Sequence, residues 1–305
     1  MPATTTRPRA LLVYKKSMYQ LYTVDRRNRE VEQLLARGDP SVDQLVAAHE
    51  THLTSLAATQ QALKQAGFEV NRTYRAGLDE IAEYDLVVTV GGDGTLLDVS
   101  HHVGPDIPML GVNSDPLRSV GLLMAAAADS VSATLDAIRG RRLRPYRVAR
   151  LALELNGTQL GVLALNDVLV TNFNPAATSR YQLICGRRAE AHKSSGVWIA
   201  SAVGSSAAIH SAGGTIQRLT DGRLQYLVRE PYTGGGPVGL RRGMLAPRRA
   251  LILHSAMRTG RIYVDGPHTW FGFGLGDHLE VRSVPGSLAL YLSADNLRRR
   301  AALTD

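Results

Sequence analysis

The chain has 305 residues, of which 44% are apolar and 20% are charged, a balance typical of a globular protein long enough for two domains. This composition excludes a chain kept disordered by its charge, and no apolar run approaches the roughly 18 residues that span a bilayer. The single cysteine, Cys185, excludes an intrachain disulfide.

The chain is basic, with 35 Lys and Arg residues against 27 Asp and Glu residues and a formal net charge of +8. Either this excess serves an anionic partner, or it is a compositional bias toward arginine spread over a solvated surface. The arginine clusters are short and few aromatic residues lie between them, so base stacking is unsupported, and the charge alone decides between neither interpretation. We expect no nucleic-acid partner and no membrane partner. Residues 1–9 lack the apolar core of a secretory signal, which predicts a cytoplasmic protein, or one of the mitochondrial matrix if the source is eukaryotic.

Strands alternate with helices between residues 8 and 141, which predicts a parallel sheet in a Rossmann-like α/β domain. A long helix is expected to begin at Ser41 as its N-cap and to end at Gly67, with His49 as a packed core histidine on its apolar stripe. The predicted stripe contains Val42, Leu45, Val46, His49, Leu53, Leu56 and Leu63. The predicted strands are residues 10–14, 68–74, 85–90 and 109–112, and the other predicted helices are residues 95–103 and 130–139.

Short strands follow one another between residues 142 and 287, which predicts an all-β domain, a β-sandwich, with residues 205–212 as its helix. Residues 288–305 are expected to return to the first domain. Trp198 and Trp270 are expected in the core. The predicted strands are residues 147–156, 158–170, 179–185, 196–201, 224–228, 250–254, 261–264 and 278–284.

A glycine-rich turn, Gly91 to Thr95 (GGDGT), joins the strand at residues 85–90 to the helix that follows. Turns at this place in an α/β sheet bind phosphate, because glycine lets the backbone approach it and the free N–H groups favour its negative charge. The pattern is neither the dinucleotide fingerprint nor the Walker motif. Asp93 therefore has two interpretations: it accepts the proton of a hydroxyl that attacks a phosphoryl group, or it caps the helix.

Three further segments follow GGDGT along the chain: Gly111 to Pro116 (GVNSDP), Asn166-Asp167, and Gly204 to Gly214 (GSSAAIHSAGG). In this order and at these intervals the set resembles the NAD kinase family, from about residue 10 to residue 290. The resemblance implies a fold of the NAD kinase/diacylglycerol kinase type, an N-terminal Rossmann-like α/β domain and a C-terminal β-sandwich, with the active site between them. Four segments resemble the mitochondrial-type branch of the family: Lys15 to Tyr19, Gly111 to Ser119, Lys193 to Gly196 and Val228 to Pro231.

The resemblance implies transfer of a phosphoryl group from ATP or polyphosphate to the 2′-hydroxyl of the adenosine ribose of NAD or NADH, with Asp93 as the base. It further implies Mg²⁺ or another divalent cation, bound mainly through the phosphate donor, and a homodimer or homotetramer. Asn166 and Asp167 are expected to bind NAD, although a simple hairpin turn is the alternative for this pair. The other residues expected beside the dinucleotide are Gly92, Gly94, Leu97, Ser206, Ala207 and Ser211.

Several positions depart from the family pattern or have a second interpretation. Ala208 replaces an aromatic residue and Ser195 an acidic one, which bears on affinity and on the preference between NAD and NADH. Arg118 and Lys193 are either phosphate contacts or ordinary surface residues. No protein metal site is predicted, because the adjacent histidines His101 and His102 point in different directions on a helix.

Two other functions stay open on the sequence. GGDGT also occurs in lipid kinases that act on diacylglycerol or sphingosine, and the departures allow a catalytically weak nucleotide-binding protein. The Asn-Asp pair and the Ser-Ala-Gly-Gly segment weigh against a lipid kinase, and the complete GGDGT turn weighs against an inactive protein.

Overall fold

The computed structural model describes residues 7–234, 236 and 238–303. Residues 1–6, on which the prediction of the cellular compartment partly rests, lie outside the described residues. The chain divides into two compact units. The first contains the chain up to Pro145 together with Leu290–Arg299, and the second contains Tyr146–Ala289 and the chain from Arg300 onward. In the described part of the chain, no helix is long and apolar enough to cross a membrane.

The first unit is built on a parallel sheet. Its strands are β1 (Arg9–Tyr14), β2 (Glu69–Tyr74), β3 (Leu86–Gly91), β4 (Pro108–Asn113) and β5 (Ala126–Ala127). They pair in the order β5-β4-β3-β1-β2, all in parallel. Every residue of β3 is buried, as expected for a central strand covered on both faces. The carboxyl end of this strand therefore delivers the GGDGT turn to the middle of the sheet edge.

The helices of this unit differ from the sequence prediction mainly at their ends. They are α1 (Arg29–Ala36), α2 (Gln44–Gln65), α3 (Asp93–Ser100) and α4 (Val131–Arg139), with a π-helical turn at Gln20–Asp25. Ser41 does not cap α2, which begins three residues later without a side-chain cap. The π-helical turn and α1 were not predicted, and no residue of either is fully buried.

The predicted apolar stripe of α2 is partly wrong. Val46 and Leu53 are 41% and 46% exposed, whereas Leu56 and Leu63 join the core formed with the sheet. Thr59 is also buried, because its hydroxyl donates to a backbone carbonyl one turn earlier and needs no water. The inner face of α2 thus combines the predicted Leu56 and Leu63 with a threonine that the apolar pattern did not predict.

The second unit is a sandwich of two sheets. Its strands are β6 (Tyr146–Leu155), β7 (Thr158–Ala164), β8 (Asp167–Asn172), β9 (Ser179–Cys185), β10 (Arg188–Ser194), β11 (Val197–Ala200), β12 (Leu224–Val228), β13 (Arg242–Leu245), β14 (Ala250–Ser255), β15 (Gly260–Val264), β16 (Thr269–Phe273) and β17 (His278–Tyr291), whose last two residues belong to the first unit. One sheet has the antiparallel order β13-β12-β11-β8-β15-β16. The other contains β10-β9-β14-β17, with β6 pairing both β17 and β7.

Alternate residues of the strands fill the space between these two sheets. Val170 and Ile262 from the first sheet and Leu183 and Leu251 from the second belong to one buried cluster. The remaining helices are α5 (Ala208–Ser211), a single turn, and α6 (Ala294–Ala302). The predicted fold class, an α/β domain followed by a β-sandwich, is confirmed.

Two details of the second unit were predicted wrongly. The segment at 158–170 is not one strand: β7 pairs in one sheet and β8 in the other, so the chain changes sheets at Leu165 and Asn166. Trp270 is not in the core; it is 47% exposed on the edge strand β16, with the Arg261 guanidinium 3.9 Å from its ring. Trp198 is partly buried.

Candidate active site

Asp93 is the first residue of α3 and follows β3 directly after Gly92. Its two carboxylate oxygens accept the backbone N–H groups of Leu122, at 3.0 Å, and Leu123, at 2.9 Å. The carboxylate is thus held by a neighbouring turn and does not cap its own helix. Since an ionised carboxylate can accept about four hydrogen bonds, each oxygen keeps a lone pair for a substrate hydroxyl.

The turn that holds Asp93 is itself fixed by two asparagine side chains. The Asn113 amide donates to the Ser119 carbonyl at 3.0 Å, and the Asn296 amide donates to the carbonyls of Gly121, at 3.2 Å, and Met124. Gly121 has a positive φ of 60°, a conformation that favours glycine. Asn113 of the GVNSDP segment therefore acts on Asp93 through the backbone of residues 119–124.

Burial raises the pKa of Asp93 above that of an ordinary aspartate, and the N–H groups of Leu122 and Leu123 only partly oppose this shift. A carboxylate with a raised pKa is a stronger base than one in water, and it stays ionised at neutral pH unless the shift is several units. Position and electrostatics both suit proton abstraction.

The positions of the GGDGT turn differ in why they hold glycine. A Cβ on Gly91 would lie 2.2 Å from Thr95 Oγ1, so packing within the turn requires that glycine. A Cβ on Gly94 would meet no described atom within 4 Å, so packing does not explain the third glycine of the turn. Leu97 is 7% exposed, and its contact with a dinucleotide stays a prediction, as do those of Gly92 and Gly94.

Arg118 lies near the same sheet edge but is already bonded to protein groups. Its guanidinium donates to both carboxylate oxygens of Asp115, at 3.1 and 3.2 Å, and to the Gln44 side chain at 3.0 Å. A phosphate contact by Arg118 stays a prediction, and it would have to share the guanidinium with Asp115.

In the second unit, Asn166 and Asp167 lie where the chain changes sheets. The Asp265 carboxylate accepts the backbone N–H groups of Leu165, Asn166 and Asp167 at 2.7, 2.7 and 3.0 Å. Leu165 and Asn166 lie between β7 and β8, outside both strands, so Asp265 accepts hydrogen bonds that a strand ladder would otherwise take. The arrangement is a supported strand break and not a simple hairpin turn.

Asp167 has the most unusual electrostatic environment of these residues. Its side chain is buried beside the Asp265 carboxylate, and burial first, then the charge of Asp265, raise the pKa of Asp167 to about 7. It borders a cleft of about 380 Å³ whose other walls include Leu169, Trp198 and Tyr263. A cleft with apolar and aromatic walls and one carboxyl group suits a ligand in which a flat ring is joined to a sugar. The ring can pack on the walls, and a sugar hydroxyl can donate to the carboxyl group.

The second glycine motif packs directly on Asn166. The Ser201 backbone N–H donates to the Asn166 carbonyl at 3.0 Å, and a Cβ on Gly204 would lie 1.9 Å from that carbonyl oxygen. Close approach of two backbones thus explains Gly204, and it brings Ser206 into the same neighbourhood as Asn166.

Replacement of Gly204 by alanine is expected to lower the free energy of unfolding by about 1–3 kcal/mol, because the added methyl group must displace the Asn166 backbone. The same displacement should weaken NAD binding. Thermal unfolding and the KM for NAD measure the two effects. The matched control is Gly272→Ala, at an exposed edge position where a Cβ meets nothing within 4 Å. Equal behaviour of the two variants would contradict the role of Gly204.

Arg300 anchors the loop that carries Ser206. Its guanidinium donates to the Val203 carbonyl at 2.9 Å, to Ser205 Oγ at 2.9 Å and to the Gln217 carbonyl at 3.1 Å, and it also bonds Ser206 Oγ. Burial lowers the pKa of Arg300 to about 10. No local sequence pattern predicts this contact, since nearly 100 residues separate Arg300 from Val203.

The other predicted positions are partly dispersed. Ala207 joins the short helical turn at Gly204–Ser206 to α5, and Ser211 ends α5 with an exposed side chain. Lys193 lies on β10, in the other sheet of the unit, with its ammonium group 5.9 Å from the Tyr232 ring. The roles of all three residues stay predictions.

Asp265 was not among the residues that the sequence pattern assigned to the site. Asp265 has a positive φ of 52°, and its carboxylate organises the backbone of the predicted NAD-binding pair. An Asp-Gly dipeptide after a strand was the available signal, but it indicates a turn and not its partner.

Comparison with known proteins places these features in a family. A family model described as the ATP-NAD kinase N-terminal domain matches residues 11–135. The "Probable NADH kinase" of Oryza sativa subsp. japonica is 35% identical over 241 residues, which are 72% of this chain and 74% of that protein. The "NADH kinase" of Arabidopsis thaliana is 34% identical over 274 residues, 80% of this chain and 84% of that protein.

The fold is also found among solved structures. The crystal structure of an NAD kinase from Archaeoglobus fulgidus in complex with ATP superposes with a TM-score of 0.68 and 18% identity, covering 97% of this chain and 98% of that one. At this level of identity, the likeness concerns the fold.

Proposed function

Because this chain belongs to the NAD kinase family, we propose that it transfers the γ-phosphoryl group of ATP, or a phosphoryl group of polyphosphate, to the 2′-hydroxyl of the adenosine ribose of NAD or NADH. The observation that carries this proposal is the Asp93 carboxylate, held by two backbone N–H groups at the end of a buried central strand. The product is NADP or NADPH.

In the proposed reaction, Asp93 accepts the proton of the 2′-hydroxyl. The ribose oxygen forms a bond to the transferred phosphorus as the bond from that phosphorus to the leaving oxygen breaks, which releases ADP or a shortened polyphosphate. The hydrogen bonds from Leu122 and Leu123 fix the direction in which the carboxylate points.

Asn166 and Asp167 hold the dinucleotide in this proposal. An amide offers both a donor and an acceptor to a base edge, and a carboxylate accepts from a ribose diol. The cleft beside Asp167 has the aromatic and apolar walls on which a base can pack. Ser206, Ala207 and Ser211 contribute further contacts, and the anchoring of Ser206 by Arg300 supports its inclusion.

A divalent cation, Mg²⁺ by chemical preference for oxygen ligands, completes the proposed donor complex. The described residues contain no group of three or more His, Cys, Asp or Glu that could hold a metal ion, so its ligands would be mainly the phosphate oxygens of the donor. When bound, such a cation neutralises the phosphate charge.

We further propose a cytoplasmic enzyme of the mitochondrial-type branch that assembles as a homodimer or homotetramer. The KKSMY, GVNSDPLRS, KSSG and VREP segments support the branch. No observation favours a lipid kinase or an inactive nucleotide-binding protein, and the names of the related proteins agree with a kinase that acts on NAD or NADH.

Steady-state assays of NADP(H) formation test the function. NAD and NADH are each offered with ATP and with polyphosphate, and diacylglycerol and sphingosine serve as competing acceptors. We expect phosphorylation of NAD or NADH with at least one donor. We expect no phosphorylation of diacylglycerol or sphingosine. Binding of NAD without turnover by any donor would contradict the proposal.

A further inference from the structure

Four strand ends meet at the carboxyl edge of the sheet in the first unit. Arg75 follows β2, Lys15 follows β1, Gly91 ends β3, and Asp115 lies two residues beyond β4. Backbone hydrogen bonds join these ends: the Lys15 N–H donates to the Val90 carbonyl at 3.4 Å, and the Arg75 N–H donates to the Tyr14 carbonyl at 3.0 Å. Lys15 therefore lies beside the GGDGT turn by strand register.

Charged groups of the other strand ends lie near the Lys15 side chain. Its ammonium group interacts with both Arg75 and Asp115. Because β3 lies between β1 and β4, Lys15 and Asp115 start about 10 Å apart across the sheet. Strand register places Lys15 next to the end of β3, where GGDGT begins, and the charge of Asp115 lies within electrostatic range of its ammonium group.

Lys15 differs from the other cations at this edge in its bonding. Lys16 forms an ion pair with Asp25 at 2.7 Å, Arg75 with Asp98 at 2.5 Å, and Arg118 with Asp115 at 3.1 Å. Within residues 7–234, 236 and 238–303, no hydrogen bond or ion pair is made by the Lys15 ammonium group. Burial lowers the pKa of Lys15. A partly buried ammonium group without a hydrogen-bond acceptor costs stability, so a residue of this kind needs another reason to be present.

We propose that Lys15 binds a phosphate of the phosphoryl donor, ATP or polyphosphate, beside the GGDGT turn. This inference rests on the proposed function. The ammonium group supplies three donors and a positive charge to phosphate oxygens, within the same sheet edge as Asp93. The bound phosphate in turn supplies the acceptor that the protein does not.

The test compares Lys15→Met with Lys16→Met, its neighbour with a protein partner. Loss of a charge-assisted bond to phosphate should raise the KM for ATP by roughly ten- to hundredfold in Lys15→Met. The KM for NAD should stay within about twofold in this variant, and both KM values within about twofold in Lys16→Met. Lys15→Arg, which keeps the charge, should recover part of the ATP affinity.

Direct binding and stability separate this role from a structural one. Titration calorimetry with ATP, without NAD, should show weaker binding to Lys15→Met alone, and the thermal midpoint of that variant should not fall. The role of Lys15 would be overturned if Lys15→Met kept its KM for ATP and its affinity for ATP. Equal losses of affinity for ATP and for NAD in this variant would overturn it as well. A wild-type enzyme that forms no NADP would overturn the proposed function instead, and the ATP titration would still decide on Lys15.

Discussion

Asp93→Asn is expected to lower the rate of NADP formation by at least about a hundredfold, since positioned general bases contribute roughly 10²–10⁴-fold. Asparagine has nearly the same shape but cannot accept the hydroxyl proton. Its amide oxygen can still accept one of the two backbone N–H groups that the carboxylate holds. The defect should therefore appear in kcat, measured at saturating NAD and ATP.

The pH dependence adds a second measurement. The base must be ionised, so the wild-type rate should fall as the pH drops through the pKa of Asp93. Because burial raises that pKa above 3.8, this fall should begin at a higher pH than for an exposed aspartate. The acid limb should be absent from the residual rate of Asp93→Asn.

The control is Asp136→Asn, an exposed position on α4. It should leave both the rate and its pH profile unchanged. NADH fluorescence should show that Asp93→Asn still binds the dinucleotide, because the residues proposed to hold it are intact. A near-normal kcat in Asp93→Asn would refute the assignment of the base.

Asp167→Asn is expected to stabilise the protein at about pH 8 and to weaken NAD binding. The folded-state pKa of Asp167 is raised from 3.8 to about 7, so the folded protein favours the protonated side chain. Below about pH 4, Asp167 is protonated in both the folded and the unfolded protein, so it does not lower the free energy of unfolding. That free energy falls as the pH rises from about 4 toward 7, and the full loss is present above pH 7. At about 1.4 kcal/mol for each pKa unit, the full loss is on the order of a few kcal/mol.

Unfolding in urea at about pH 5 and about pH 8 measures this effect, and the gain of Asp167→Asn should be larger at the higher pH. Asp221 is a control of opposite sign, because its hydrogen bonds to Arg223 lower its pKa to about 2. Asp221→Asn should lose stability to the same extent at both values, since its native ion pair is complete across that range. A smaller gain for Asp167→Asn at about pH 8 would contradict the electrostatic account.

The cost of ionising Asp167 has a functional counterpart. If its carboxylate accepts from the ribose of NAD, replacement by an amide should raise the dissociation constant roughly tenfold or more. If Asp167→Asn is more stable but binds NAD less well, the wild-type aspartate lowers the stability of the protein and strengthens NAD binding.

The fold class was predictable because it depends on local patterns. Alternating apolar strands and helices indicate a parallel sheet, and a run of short strands indicates a sandwich. The predicted strand boundaries in the first unit agree with β1 to β4 to within a few residues. Elements without a strong apolar pattern, such as β10 and β13, were missed, and so was the short amphipathic helix α1.

Long-range contacts were not predictable in the same way. One carboxylate, Asp265, supports the strand break at residues 165–167 from about 100 positions away, and a continuous apolar run hid that break. Arg300 reaches the loop of Ser206 across a similar separation. Hydrogen bonds of this kind leave no periodic signal, because they join single residues in two distant segments.

The sequence by itself determined the family, the fold class and the candidate chemistry, because an ordered set of short motifs and a formal charge of +8 can be read without coordinates. Only the tertiary structure decided how the candidates are held: Asp93 by the backbone of Leu122 and Leu123, and Asp167 buried beside Asp265 with a raised pKa. It also separated Lys15, which lacks a described partner, from Lys16, which has one. Burial and distance set the charge and basicity of a side chain, and both arise only when distant segments pack together.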